Sequence, residues 1–161
     1  MHAHRRSEQI CRLARLMVLL ALAAGGFSGP ADAMRREPMK LHTARGEQVV
    51  SVEITETPEE KTRGLMFRTR LPDNEGMLFA YDPPREITMW MRNTYIPLDM
   101  LFIRADGTID SIGERTTPLS EKSVPSKGPV RFVLEINGGL SDRLGIEAGD
   151  RVTGPAMEAR P

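Results

Sequence analysis

The run Leu98-Asp99-Met100-Leu101-Phe102-Ile103 constrains this chain more than any other. Side chains alternate across a strand, and apolar residues here fall on both faces, with Asp99 the only exception. Such a strand has no face for water. It belongs in the middle of a sheet, covered above and below. The rest of the chain must therefore supply neighbours on both sides and two layers of cover.

Short runs elsewhere fit that need. Gln48 to Thr55 sets Val50, Val52 and Ile54 against Ser51 and Glu53, the period of a half-buried strand. Met77 to Tyr81 is a short apolar strand. Ile87 to Asn93 reads as another, with Ile87, Met89 and Met91 on one face and Trp90 on the other. Pro97 separates it from the central run. Asp106-Gly107 makes a tight hairpin turn, from which Ile109 to Glu114 returns. Val130 to Asn137 sets Phe132, Leu134 and Ile136 against Val133 and Glu135, and a last strand follows Asp150. Thr116 to Pro129, with three prolines, reads as an irregular loop.

Two helices are predicted. Thr57-Pro58-Glu59-Glu60 has the form of a capping box, with proline at the first helical position and Gly64 as the stop. Ser141 to Leu144 is a second short helix, stopped by Gly145. The expected fold is β-dominated α+β: a compact single domain with a small twisted sheet or partial barrel of six or seven short strands and two short helices.

The first 33 residues read as a segment apart from this domain. Arg5, Arg6, Arg12 and Arg15 precede an apolar stretch, Leu16 to Ala24, too short to span a bilayer as a mature helix. Ala31-Asp32-Ala33 has the small-x-small form of a signal-peptidase site. The expectation is a secretory signal peptide at 1–33 and a linker at 34–42. A globular domain at 43–153 and a flexible tail at 154–161 complete the organisation. The protein is then exported, most simply to the periplasm, with no mature transmembrane segment.

Composition narrows the chemistry. The chain holds 22 basic and 22 acidic residues, and without the first 33 residues it stays near neutral. That argues against nucleic acid as a partner. The one cysteine, Cys11, and two of the three histidines lie before residue 34. Thiol catalysis and thiolate metal sites are excluded from the expected mature chain, and His42 alone does not make a triad or a zinc site. No cofactor is expected.

The chemically densest stretch is Trp90 to Asp99. Trp90 offers an aromatic platform, with Arg92, Asn93, Thr94 and Asp99 as polar groups to orient a ligand. The competing explanation is structural: Asn93 and Thr94 tie down a corner through side-chain-to-backbone bonds, and Arg92 pairs with Asp99. Asp99, Glu114 and Glu135 each sit in or at the end of an apolar strand. Two of them brought together could share a proton, act as acid and base, or hold a hard cation. Pairing with Arg92 or Arg131 is the structural alternative. Met66, Met77, Met89, Met91 and Met100 raise soft-metal capture, but each falls at an apolar position of a predicted strand or its flank, where methionine fills a core.

Several phrases form one ordered set: Gly64-Leu65-Met66-Phe67-Arg68, Gly76-Met77-Leu78-Phe79, Trp90-Met91-Arg92-Asn93-Thr94, Ile96-Pro97-Leu98-Asp99, Val133-Leu134-Glu135 and Gly149-Asp150-Arg151-Val152. This set closely resembles the domain-of-unknown-function family 192, small and often exported prokaryotic proteins, over roughly Thr43 to Val152. The resemblance implies a compact β-rich domain and supplies no biochemical function. The leading expectation is a non-enzymatic module that binds a small ligand or an envelope protein. Trp90, Arg92, Asn93, Thr94, Asp99, Glu114 and Glu135 are its candidate site residues. A carboxylate-based hydrolase or lyase using Asp99, Glu114 or Glu135, and an envelope scaffold module, are the alternatives.

Overall fold

The computed structural model describes residues 34–158; the expected signal peptide lies outside them. The central run forms β5 (Leu98–Ile103), and all six of its residues are buried. It pairs antiparallel with β6 (Ile109–Gly113) on one side and β8 (Val130–Asn137) on the other. Beyond β8 lie β3 (Glu75–Arg85), β2 (Gly46–Thr55), β1 (Arg36–Thr43) and β9 (Arg151–Thr153), completing a curled seven-stranded sheet in the order β6-β5-β8-β3-β2-β1-β9. Among the described strands only β2 and β3 run parallel. A parallel pair needs a crossover, and α1 (Pro58–Arg63) lies within it.

The capping box at the start of α1 is formed as read. Thr57 Oγ1 accepts from the Glu60 amide at 3.1 Å, and the Glu60 carboxylate accepts from the Thr57 amide at 2.9 Å. α2 (Leu140–Leu144) ends at Gly145 in the left-handed conformation.

Each face of the sheet carries its own core. Leu101, Ile103, Leu134, Ile136, Leu78, Val52 and Leu41 pack on one side, with Leu144 of α2 against them. Met100, Phe102, Val133, Met77 and Phe79 pack on the other, under Leu65, Leu71, Ile87, Met91 and Ile96 from the connections. Burial of these two layers is the main stabilising term.

Three segments differ from expectation. The residues read as a linker form β1, paired with β2 from Arg36↔Glu53 to Thr43↔Gly46 and with β9 through Lys40 to His42. Met39 and Leu41 are its fully buried face. The charges that masked this alternation are held in ion pairs, Arg36 with Glu53 and Glu75. The tail begins as α3 (Pro155–Glu158), which sets Ala156 and Met157 against the core. In the predicted strand from Ile87 to Asn93 only β4 (Thr88–Met89) pairs, with β7 (Val124–Pro125), inside the region read as irregular loop. Beyond Met89 the backbone turns: the Met91 amide bonds to Ser120 O and the Thr94 amide to Met91 O, each at 3.0 Å.

Candidate functional site

The segment after β4 is a tied corner. Met91 is buried, while Trp90 on the opposite side is 46% exposed. The Arg92 guanidinium lies over the Trp90 ring at 4.2 Å, and its Nε donates to Glu121 at 3.0 Å. Arg92 therefore does not pair with Asp99. Asn93 adopts a left-handed φ of 56°, and its carbonyl accepts from the Phe67 amide at 2.8 Å. The Thr94 carbonyl accepts from the Leu119 amide at 3.0 Å, and Thr94 Oγ1 donates to Arg92 O at 3.3 Å. The side-chain-to-backbone tie expected of both residues is made by Thr94; Asn93 holds the corner through its backbone carbonyl, and its Nδ2 lies 3.9 Å from Met66 Sδ.

Phe67 (φ 65°) and Leu119 (φ 61°) are also left-handed. Three loops thus meet at one place through three non-glycine residues in a conformation that disfavours a Cβ. This costs on the order of 1 kcal/mol or more for each bulky residue. The corner displays large apolar groups to solvent: Phe67, Trp90, Tyr95 and Leu119 are each about half exposed. The Phe67 and Tyr95 rings stack edge to face, centroids 6.2 Å apart at 75°.

The carboxylates separate. Asp99 is fully buried and points to the face of Leu101 and Ile103. Its Oδ1 accepts from the Arg115 and Gly139 amides at 2.7 and 2.9 Å, and Oδ2 from the Ser141 amide at 2.8 Å. It is a tie between connections, fully engaged with backbone donors. Glu135 pairs in register with Met77 on one side and Met100 on the other, so it shares the face of Phe79 and Phe102. Burial among these groups pushes its carboxyl up to about 8. Burial first, and then the nearby Glu135 charge, push the Tyr81 phenol up to about 12 against the opposing Arg85. Glu114 is exposed beyond β6 and belongs to other cavities. Asp99 and Glu135 face opposite sides, and Glu114 shares no described cavity with either. The convergence that a two-carboxylate mechanism requires is not formed.

A cavity of about 30 Å³ joins the corner to Glu135. Trp90, Thr94 and Glu135 line it together with Lys61, Met66 and Met89, and it has room for a water-sized group. Gly64 borders it, and a Cβ there would lie 3.2 Å from the Phe79 ring. Lys61 Nζ donates to Ala80 O at 2.6 Å and sits 5.5 Å from the Tyr81 ring centroid. Of the seven residues expected at the site, Trp90, Thr94 and Glu135 are brought together. Arg92 and Asn93 belong to the same corner without lining the cavity, and Asp99 and Glu114 lie elsewhere.

Sequence reasoning missed Lys61, Phe67 and Tyr95. The Gly64-to-Arg68 phrase was visible as a motif, but it gave no sign of docking against Asn93. Next to the cavity a shallow groove of about 360 Å³ runs along α1, lined by Pro58, Glu59, Thr62, Arg63, Met66 and Phe67.

Among the solved structures that resemble this fold are two bacterial proteins. One, from Sinorhizobium meliloti 1021, is described as a candidate transcription regulator. It is 44% identical, covering 76% of this chain and 96% of its own, with a TM-score of 0.74. The other, a protein of unknown function from Novosphingobium aromaticivorans DSM 12444, is 43% identical, covering 81% and 94%, also with a TM-score of 0.74. No curated protein matches the chain. The DUF192 family model, described as "Uncharacterized ACR", matches residues 40–154, which hold the tied corner and most of both cores, and the chain belongs to that family.

Proposed function

We propose that this domain is a non-enzymatic binding module that docks a segment of another exported or envelope protein on the corner formed by Phe67, Trp90 and Tyr95. One observation carries the reading: three left-handed non-glycine residues hold an apolar patch out in solvent, where folding alone would bury it or do without it. Strain held at a surface and exposed large apolar groups both mark interaction sites.

The occupant is a peptide segment rather than a small molecule. The cavity over Glu135 admits only a water-sized group, well short of the several hundred Å³ that small ligands fill. The groove beside it is shallow and open to solvent, so it suits apolar side chains of an extended segment laid along α1 and Phe67 rather than an enclosed small molecule. Arg63, on that groove, has no ion pair among the described residues, and Arg92, held by Glu121, stands at the other end of the patch. An acidic residue next to an apolar anchor complements this arrangement. Glu135, neutral below about pH 8, is a hydrogen-bond donor at the cavity floor for a carbonyl or water of the segment.

Action outside the cytoplasm rests on the basic, apolar and small-x-small order of residues 1–33; the amino-terminal sequence of the protein recovered from its native host tests it. The name given to the S. meliloti structure raises nucleic acid as a second partner. Equal numbers of basic and acidic residues, with Arg36, Arg104 and Arg115 held in ion pairs, favour a protein instead.

Selection of a displayed peptide library on the folded protein tests the docking reading. Enriched peptides should combine an aromatic or large aliphatic residue with acidic neighbours. They should lose binding to a Phe67→Ser variant. Peptides that bind wild type and variant equally would overturn it.

A further inference from the structure

A second cavity lies on the opposite face of the sheet from Glu135, and nothing at the aromatic corner uses it. Its volume is about 400 Å³, within the range of small-ligand sites. Ser141 forms part of its floor. That residue is 1% exposed, and its Oγ is buried without a hydrogen-bond partner among the described residues. An unpaired buried hydroxyl is costly, so rotation of the Ser141 side chain towards a polar group arriving in the cavity would relieve it. The Ser141 amide is fixed by Asp99, which also holds the Arg115 amide next to Glu114. Asp99 thereby sets the spacing between the two walls.

Around this floor stand charges of both signs. Arg45 is laid flat over Gly145, where a Cβ would meet its Nε at 2.6 Å, and it donates to the Asp142 and Arg143 carbonyls. Lys127 is exposed nearby. Glu114 and Glu147 supply carboxylates. Among the described residues, Lys127, Glu114 and Glu147 form no ion pair. Asp142 also lines the basin, with its carboxylate held by Arg115; the charges left over, Arg45 and Lys127 against Glu114 and Glu147, do not pair with one another among the described residues and match a ligand that carries both charges itself.

We infer that this cavity is a second binding site, for a small zwitterion of the α-amino-acid class. The carboxylate lies towards Lys127 and Arg45, the ammonium towards Glu114 and Glu147, and Ser141 Oγ bonds to the carboxylate.

The test is titration of the isotope-labelled full chain with glycine, L-serine, L-aspartate and L-lysine, followed by amide spectra, with acetate and ethylammonium as single-charge controls. At least one amino acid should shift the Ser141, Gly145 and Glu147 amides in a saturable way, and neither control should match it. Ser141→Ala and Lys127→Gln should each weaken binding about tenfold, the value of one hydrogen bond to a charged group, with the rest of the spectrum unchanged. Lys127 is exposed, so its variant reports even if Ser141→Ala disturbs the fold. No response to any of the four amino acids would overturn the assignment. So would an equal response to acetate or ethylammonium alone, or unaltered affinity in the Lys127→Gln variant.

Discussion

Asp99 and Glu135 lie one rung apart on neighbouring strands and face opposite sides of the sheet: Asp99 pairs with Ile136, and Glu135 with Met100. That single-residue offset gives the two carboxyls unrelated environments. Asp99 meets three backbone amides from two connections. Glu135 meets methionine, phenylalanine and a water-sized cavity.

The Glu135 environment makes stability depend on pH. Its folded-state value of about 8 lies above the unfolded value of 4.5. A raised carboxyl value costs nothing while both states are protonated. Stability is lost as pH rises from about 4.5 to about 8, at up to roughly 1.4 kcal/mol per pH unit, and is level above that. Glu135→Gln removes the ionisation at nearly constant shape. The variant should match wild type in chemical denaturation near pH 4 and exceed it by a few kcal/mol near pH 8. Equal stability at both pH values would show that the carboxyl reaches water.

Asp99→Ala removes the acceptor from three amides at once. A buried donor left unpaired costs about 1–3 kcal/mol, so the loss should reach at least about 3 kcal/mol. Denaturant unfolding measures it, and amide exchange at Arg115, Gly139 and Ser141 should accelerate with it. A loss under about 1 kcal/mol would mean that water replaces the carboxylate.

The helix start is a smaller term. Thr57→Ala breaks one half of the capping box and should lower stability by about 1 kcal/mol, read as a lower melting temperature with an unchanged folded spectrum.

Much of the fold was legible because the strands of the two-faced core declare themselves. β5 and β8 match the sequence reading residue for residue, since alternation or full apolarity has only one burial solution there. β1 was hidden because Arg35, Arg36 and Glu37 stand beside Met39 and Leu41, and the partners Glu56 and Glu53 that hold the two arginines are distant in sequence. At the candidate site, Trp90 and Thr94 were found from local chemistry. The convergence of Lys61, Met66 and Glu135 on them was not, because it is created by the parallel β2–β3 crossover and by strand register. Register likewise decides that Asp99 and Glu135 part, and one residue of slip would have put them together.

The strain at the corner predicts a trade between stability and binding. Leu119 is 57% exposed with φ 61°, so Leu119→Gly relieves a left-handed conformation while giving up little packing. The variant should gain about 1 kcal/mol in stability and lose affinity for partners that use the patch. Denaturation and peptide binding on the same sample measure both. A destabilised variant would show that Leu119 packs in a way its exposure hides.

The docking reading is tested most directly by the fluorescence of Trp90, the only tryptophan in the chain. Titration with a peptide selected on the folded protein should shift the emission to the blue and saturate, as the half-exposed ring loses water. The Phe67→Ser variant should show no shift over the same range. A selected peptide that binds tightly and leaves Trp90 emission unchanged would contradict the assignment of the corner as the docking surface.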